Sequence, residues 1–220
     1  MRKKVTVITM GQSPADPSQS DVYRSLSQAA DTEMRGLLDG MCEDEMEALR
    51  PLGEEMFIVS TIRSGRGVQI AERHAMRLAE ERLIKAQQGG SCAALILCTG
   101  HFEIPPLNMP VWVPEKILFS LFRAMGIKKL GAIVPEEGQK GSSLNYYREF
   151  SPIVHAASPY GPKEKVAEAA AAFRDSDVDI VLADCMGFTE ALGNIISRES
   201  GKQVFVPRVA LPALIKAVIS

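Results

Sequence analysis

Short apolar runs alternate with longer amphipathic stretches along most of this chain of 220 residues. An apolar run of about four to eight residues between turn signals is typical of a strand buried on both faces, whereas apolar positions at helical spacing are typical of an amphipathic helix. Strands alternating with helices indicate βαβ units and parallel sheets. The pattern predicts strands at 5–10, 56–62, 68–70, 93–97, 130–134, 153–157, 179–183 and 204–206, and helices at 71–88, 114–125, 162–174, 188–199 and 209–219.

Two segments depart from this alternation. Residues 20–49 mix apolar and acidic positions and are predicted to be mostly helical. Residues 101–114 contain four prolines, which predicts a loop or an edge crossing. We place the boundary between two lobes near this crossing, so that 1–113 plus 208–220 form an amino-terminal lobe and 114–207 a carboxy-terminal lobe. The predicted fold class is α/β, with two pseudo-symmetric Rossmann-like lobes, mostly parallel sheets and a cleft between them.

The charge balance and the short apolar runs exclude several classes of partner. Lys and Arg number 25 against 27 Asp and Glu, a formal net charge of −2, so a nucleic acid is not the expected ligand. The first apolar run is too short for a signal peptide, and no segment reaches the roughly 20 apolar residues of a membrane span. We therefore expect a cytoplasmic protein that binds no membrane. Its four cysteines are predicted to be free thiols, as is usual in a reducing compartment.

Two stretches of nearly the same pattern contain the main chemical candidates. Residues 94–102 (ALILCTGHF) and 179–188 (DIVLADCMGF) each run from an apolar strand into a cysteine, one spacer residue and a glycine. Open α/β sheets bind their ligands at the carboxyl ends of the strands, where Cys98 and Cys185 fall. The repeat, about one lobe apart, indicates two equivalent strand ends that face a shared cleft.

The two thiols suit proton transfer without a cofactor. One thiolate can remove a proton from a bound carbon while the other thiol delivers a proton to the opposite face, if each has a pKa near the working pH. Main-chain N–H groups of a helix beginning at Gly187 are expected to stabilise a thiolate at Cys185. Gly100 and Gly187 are expected to adopt positive φ in tight turns. The alternative is that both cysteines are core residues, since free cysteine is among the most buried residue types.

Further substrate-binding candidates lie on loops and beside the cysteines. Gly11, Gln12 and Ser13 follow the first strand, where backbone N–H groups and a hydroxyl could reach the cleft. Arg63 could hold a substrate carboxylate through bidentate hydrogen bonds, or could belong to a solvated hairpin turn. Asp184 could orient or deprotonate a group, or could cap the following helix. The other candidates flank the two cysteines: Thr99, Gly100, Met186 and Gly187.

No metal and no cofactor is expected. Cys98 and His101 have a Cys-x-x-His spacing, but no second pair stands beside them in the sequence, which argues against zinc. Residues 64–67 (SGRG) lack the Walker spacing and no lysine follows them, so they are a weak candidate for phosphate binding.

Four short motifs of the chain form a recognisable combination. They are Thr9-Met10-Gly11-Gln12-Ser13-Pro14, Arg63-Ser64-Gly65-Arg66, Ile133-Val134-Pro135 and Asp184-Cys185-Met186-Gly187-Phe188. Together they resemble the AroM family, with one departure at Ala15, where the family often has an arginine. That family is related to the aspartate/glutamate/hydantoin racemase superfamily, and the resemblance implies two pseudo-symmetric α/β lobes with Cys98 and Cys185 in the positions of two catalytic cysteines.

The resemblance implies a cofactor-independent isomerase of the racemase or epimerase type, acting at a carbon beside a carboxylate or carbonyl of a small molecule. Gly100 and Gly187 make the two motifs more similar to those of hydantoin racemases than to those of glutamate racemases. Two alternatives stay open. One is a single-cysteine cis–trans isomerase or decarboxylase of a small diacid, and the other is a non-catalytic small-molecule-binding protein. Small α/β enzymes of this kind are often symmetric, so a homodimer is considered.

Overall fold

The computed structural model describes residues 2–219, which form two compact units. Unit 1 runs to Glu115 and resumes at Leu211, and unit 2 comprises Lys116–Ala210. Short 3-10 helices occur at Pro17–Gln19, Glu137–Gln139 and Arg148–Phe150. In chain order the strands and α-helices are β1 (Lys4–Thr9), α1 (Asp21–Leu26), β2 (Asp31–Gly36), α2 (Glu43–Glu47), β3 (Phe57–Thr61), β4 (Gly67–Ala71), α3 (Glu72–Gln88), β5 (Ala93–Leu97), β6 (Val111–Trp112), α4 (Pro114–Met125), β7 (Leu130–Val134), α5 (Lys140–Tyr146), β8 (Ile153–Ala156), α6 (Lys163–Ala171), β9 (Ile180–Ala183), α7 (Glu190–Ser200), β10 (Val204–Phe205) and α8 (Pro207–Ile219).

The main sheet of unit 1 is parallel and has the strand order β2-β1-β5-β6. Its central strands are buried on both faces because successive side chains enter opposite apolar clusters. On β1, Ile8 packs into one cluster with α3, while Val5 and Val7 pack into another with α1 and the end of α8. This two-sided burial accounts for the continuous apolar runs in the sequence.

An antiparallel hairpin of β3 and β4 is inserted in unit 1 between α2 and α3. Its turn contains Gly65 at φ +84°, a left-handed conformation that glycine adopts without the steric cost of a side chain. Ile58 and Ile70 pack into the same apolar cluster as α3. The hairpin predicted around residues 64–67 is therefore confirmed, and its strands pack against the hydrophobic core of unit 1.

The sheet of unit 2 repeats the topology of unit 1. It is parallel throughout and has the order β10-β9-β7-β8. Strands β7, β8, β9 and β10 thus occupy the places that β1, β2, β5 and β6 occupy in unit 1, and the hairpin is the insertion that distinguishes the halves. The predicted α/β class with two similar halves and mostly parallel sheets is confirmed.

The segment 20–49 was predicted to be mostly helical, and this prediction is wrong at its centre. Strand β2 (DTEMRG) lies at the edge of the sheet and pairs with β1 alone. An edge strand is partly solvated and tolerates charged side chains. Here Glu33 forms ion pairs with Lys4 at 3.1 Å and with Arg35 at 2.7 Å. The strand therefore has no apolar run that a sequence pattern could detect.

The part of the chain from residue 2 to residue 219 contains no helix with both the length and the apolar character needed to cross a membrane.

Candidate functional site

Cys98 and Cys185 lie in matching positions of the two units. Cys98 follows β5 directly, and Cys185 lies two residues beyond the end of β9, the strand that corresponds to β5. The N–H of Gly100 donates to Cys98 Sγ at 3.4 Å, and the N–H of Gly187 donates to Cys185 Sγ at 3.3 Å. Both cysteines are partly exposed. Each unit therefore holds a sulfur at a strand end, in a hydrogen bond from the glycine two residues later.

The structure gives a different reason for glycine at positions 100 and 187 from the one that the sequence suggested. Neither Gly100 nor Gly187 has positive φ, so the prediction of left-handed turns is wrong. A Cβ at position 187 would lie 2.7 Å from both Tyr160 Oη and Pro159 Cγ, closer than side-chain packing allows. A Cβ at position 100 would meet Cys98 Sγ at 3.4 Å, an ordinary contact. Gly187 is thus required by the close approach of a neighbouring loop, and Gly100 is not.

Cys185 rests as a thiol at neutral pH. Burial, together with the negative charge of Asp184, raises the pKa of Cys185 from 9.0 to about 11, although the Gly187 N–H, the Tyr160 side chain and Arg208 act to lower it. Helix α7 begins only at Glu190, so the predicted helix start at Gly187 is wrong, but the N–H of Gly187 does bond to the sulfur and lowers its pKa. The protonated form makes Cys185 a proton donor first.

This raised pKa predicts a loss of stability in alkali. The folded state holds the thiol proton more tightly than the unfolded state, so the contribution of Cys185 is complete below about pH 9 and is lost as the pH rises through about 11. We expect the free energy of unfolding of the natural protein to fall by up to about 2 kcal/mol relative to Cys185→Ser across that window. Urea unfolding of both proteins at about pH 8 and about pH 10.5 measures the difference.

The matched control for this comparison is Cys42→Ser, because Cys42 is an exposed cysteine. Any change with pH in the unfolding free energy of Cys42→Ser relative to the natural protein is subtracted from that of Cys185→Ser. If no pH dependence then remains for Cys185→Ser, the raised pKa is contradicted.

The residues on either side of Cys185 are held by side chains distant in the sequence. The hydroxyl of Tyr147 donates to Asp184 Oδ1 at 3.0 Å, and Arg208 Nη1 donates to the carbonyl of Met186 at 2.8 Å. The cap of α7 is Thr189, whose hydroxyl accepts from Leu192 N at 3.4 Å, so Asp184 is not a helix cap. Nothing in the sequence pattern pointed to Tyr147, Tyr160 or Arg208 as neighbours of the motif: these were missed.

The Gly11–Ser13 loop after β1 is bound to the hairpin. Arg63 N–H donates to Gln12 Oε1 at 3.0 Å, and Arg63 Nε donates to the carbonyl of Ser13 at 2.7 Å. A Cβ on Gly11 would lie 2.0 Å from the carbonyl oxygen of Thr61, so this position accepts only glycine. The structure therefore brings together Gly11, Gln12, Ser13 and Arg63, which the sequence placed in two separate motifs.

Asp39 anchors this loop, and no pattern in the sequence pointed to it. Its carboxylate accepts from Ser13 N at 2.9 Å, from Ser13 Oγ at 2.7 Å and from Gly36 N at 2.7 Å. Arg63 Nη2 completes the set at 3.0 Å from Asp39 Oδ1. Arg63 was predicted to contact a substrate carboxylate, and in this structure its guanidinium contacts a carboxylate of the protein itself.

Asp39→Asn should destabilise unit 1. An amide has one accepting oxygen and loses the negative charge, so the N–H groups of Ser13 and Gly36 and the guanidinium of Arg63 no longer share a common acceptor. Hydrogen bonds to charged groups contribute about 1.5–3 kcal/mol each, and we expect a net loss of about 2–3 kcal/mol in the free energy of unfolding. Urea denaturation checks this value. Asp44→Asn, at an exposed position on α2, should change the stability by less than about 0.5 kcal/mol; equal effects of the two substitutions would be inconsistent with the anchor.

His101, three residues beyond Cys98, contacts a carboxylate. Its Nδ1 lies 3.2 Å from Glu115 Oε2. Glu72 also lies near His101, and burial raises the pKa of Glu72 against the lowering effect of that imidazole. Within residues 2–219, no group of three or more His, Cys, Asp or Glu side chains is placed to hold a metal ion.

Comparison with known proteins adds a family and a fold. The model of the AroM protein family matches residues 5–219, whereas no curated protein matches the sequence at a significant level. Similar solved structures include glutamate racemase from Francisella tularensis subsp. tularensis SCHU S4 in complex with D-glutamate, at 10% identity and a TM-score of 0.60 over 99% of this chain and 81% of that one.

Two further solved structures cover nearly the whole chain. Arylmalonate decarboxylase has 11% identity and a TM-score of 0.59 over 98% of this chain and 92% of that one. The maleate isomerase Iso from Pseudomonas putida S16 has 13% identity and a TM-score of 0.57 over 98% and 93%. These likenesses show that the chain has the same α/β fold as those proteins.

Proposed function

Since the chain belongs to the AroM protein family, we propose that it is a cofactor-independent isomerase of the racemase or epimerase type. It acts at a carbon next to a carboxylate or carbonyl group of a small molecule. Cys98 and Cys185 are the two acid/base residues, one for each face of that carbon.

The observation that carries this proposal is the matched sulfur geometry of the two units. Each sulfur follows a corresponding strand and accepts a hydrogen bond from the glycine two residues later, at 3.4 Å in one unit and 3.3 Å in the other. The core interpretation of the cysteines predicts sealed side chains without such a donor, whereas both side chains are partly exposed. A backbone N–H aimed at sulfur stabilises a thiolate without a further ionisable partner.

The names of similar structures favour a carboxylate as the substrate. Glutamate, maleate and arylmalonate are all small carboxylates, and the three proteins share the fold of this chain. In glutamate, the carbon next to a carboxylate bears the proton that a racemase removes. The substrate class that we propose is a small molecule with a proton on a carbon next to a carboxylate or carbonyl.

The proposed reaction balances with the cysteines alone. The thiolate of one cysteine takes the proton from the carbon, and the thiol of the other gives its proton to the opposite face. The first cysteine ends as a thiol and the second as a thiolate, so the enzyme is reset by the reverse direction or by exchange with water. Because the pKa of Cys185 is raised to about 11, Cys185 enters the first turnover as the proton donor.

The raised pKa also favours a second candidate. In a cis–trans isomerase or a decarboxylase of a small diacid, a single cysteine acts as the proton donor or nucleophile. Cys185 as a resting thiol fits the donor role without any partner thiolate. In that case substitution of Cys185 should stop the reaction while substitution of Cys98 should leave it nearly unchanged, and a covalent adduct, if one forms, should be found on one cysteine only.

Deuterium incorporation tests the isomerase proposal. Enantiopure small carboxylates and 5-substituted hydantoins are incubated with the protein in D₂O, and proton NMR and chiral chromatography follow each compound. We expect deuterium at the stereocentre at the same rate as the opposite enantiomer appears. Intact-mass analysis of the same samples detects a cysteine adduct. Inversion without deuterium uptake would contradict proton transfer by thiols.

A further inference from the structure

Cys185 is surrounded by polar groups that the proposed reaction does not yet use. The Tyr160 side chain hydrogen-bonds to the sulfur, and the charges of Asp184 and Arg208 act on it in opposite directions. These groups come from the loop after β8, the end of β9 and the start of α8. Together with the N–H of Gly187, they are the groups that oppose or favour a negative charge on this sulfur.

Gly187 admits the ring of Tyr160 to this position. A Cβ there would lie 2.7 Å from Tyr160 Oη and 2.8 Å from its Cζ, so any other residue would push the ring away from the sulfur. The Tyr160 side chain is only partly packed against the protein, since the residue is 47% exposed. At the matching position of unit 1, a Cβ on Gly100 would meet no tyrosine, and the three nearest atoms belong to Cys98, Phe102 and Ile58.

Arg208 and Asp184 are each held in place by a further contact. Arg208 donates from Nη1 to the Met186 carbonyl at 2.8 Å, which keeps the guanidinium beside the cysteine motif. Asp184 accepts from the buried hydroxyl of Tyr147 at 3.0 Å, a bond that spreads part of the carboxylate charge. The positive charge is therefore fixed near the sulfur, and the neighbouring negative charge is already hydrogen-bonded.

We propose that Tyr160 is a positioning residue that stabilises the thiolate form of Cys185, with Arg208 supplying the compensating positive charge. Its part in turnover rests on the proposed function, because a partly buried cysteine accepts a proton from substrate only if its anion is stabilised. The O–H of Tyr160 donates to the sulfur, and a hydrogen bond to an anion is about twice as strong as one between neutral groups. The bond therefore strengthens when the thiol loses its proton.

Alkylation rates test this role without any substrate. Far below its pKa, a thiol reacts with iodoacetamide in proportion to its thiolate fraction, partly offset by a gain in nucleophilicity. Tyr160→Phe keeps the ring and removes the hydroxyl, so the Cys185 rate constant at about pH 8 should fall about three- to tenfold. Arg208→Gln should also lower it several-fold, and Arg208→Lys should recover most of the loss. Peptide-resolved mass spectrometry measures each cysteine separately.

Exposed cysteines and a second tyrosine are the controls. Cys42 and Cys92 react in the same sample and should keep their rates in every variant, which controls for the reagent concentration and the pH. Tyr23→Phe, in α1 of unit 1, should leave Cys185 unchanged. An unchanged or faster Cys185 rate in Tyr160→Phe would overturn the proposal, as would equal rates in Arg208→Gln and Arg208→Lys.

The two proposals fail separately. If the alkylation rates change as expected but no compound takes up deuterium, the proposed function is contradicted and the role of Tyr160 stands. If deuterium uptake occurs but Tyr160→Phe alkylates like the natural protein, the role of Tyr160 is contradicted and the isomerase stands.

Discussion

Cys98→Ser and Cys185→Ser should each slow inversion of the substrate by about 10²- to 10⁴-fold, the usual contribution of a positioned acid or base. Serine preserves the size of the side chain, but its hydroxyl is a far weaker acid than a thiol and cannot exchange protons at a comparable rate. Both sulfurs accept from a glycine N–H, and a serine oxygen can keep that bond, so the fold should be retained. Chiral chromatography after incubation of each enantiomer measures the loss.

The two variants should differ in which enantiomer still exchanges its proton. With one base missing, the remaining cysteine faces one side of the carbon only, so it can remove and return the proton of one enantiomer without inverting it. Cys98→Ser should therefore exchange the enantiomer that presents its proton to Cys185, and Cys185→Ser the opposite one. Proton NMR in D₂O on each pure enantiomer separates the two cases.

Cys92→Ser is the matched control, because Cys92 is exposed and lies at the opposite end of β5 from Cys98. It should exchange and invert at the natural rate. Full activity in the Cys98→Ser, Cys185→Ser double variant would refute the two-cysteine mechanism. Loss of activity in Cys185→Ser with near-natural activity in Cys98→Ser would favour the single-donor candidate.

Gly187→Ala should lower the free energy of unfolding by about 1–3 kcal/mol, the usual effect of overpacking. The new Cβ would lie 2.7 Å from Pro159 Cγ and from Tyr160 Oη. The proline ring is rigid, but Tyr160 is exposed enough to swing away, so the chain should fold with the hydroxyl displaced from Cys185. Turnover should fall with the alkylation rate of Cys185. Urea unfolding and the iodoacetamide assay measure the two effects.

Gly100→Ala is the natural comparison for this substitution, since its Cβ would meet Cys98 Sγ at an ordinary 3.4 Å. Gly100→Ala should lower the free energy of unfolding by less than about 0.5 kcal/mol. When Tyr160 is also replaced by alanine, Gly187→Ala should lower the free energy of unfolding by less than it does alone, because one of the two clashing side chains has been removed. Equal costs at positions 100 and 187 would show that the close approach of Tyr160 has no energetic consequence.

The elements that the sequence predicted well are those buried on both faces. Strands β5, β7 and β9 are made of apolar residues and glycine, and β1 contains the apolar residues Val5, Val7 and Ile8, because these strands lie inside parallel sheets. The edge strand β2 was missed because it pairs on one side only and bears charged side chains. The hydrophobic pattern of a sequence reflects the burial of its residues, so it identifies the central strands of a sheet more readily than the edge strands.

Site residues that are neighbours along the chain were predicted, whereas those that come from distant segments were not. Cys98 and Cys185 were found because a cysteine, a spacer and a glycine after an apolar run are neighbours along the chain. Asp39, Tyr160 and Arg208 were not, because each reaches its partner from a distant segment. The expected reason for Gly187, positive φ, was wrong for the same cause: the constraint is a contact with another loop.

By itself, the sequence determined the α/β class, the repeated half and the two strand-end cysteines, because these follow from local patterns of burial and turn residues. The tertiary structure alone decided that the pKa of Cys185 is raised to about 11 and that Tyr160 and Arg208 oppose this rise. Solvation and charge at an atom depend on every segment packed around it, and those segments are far apart in the chain.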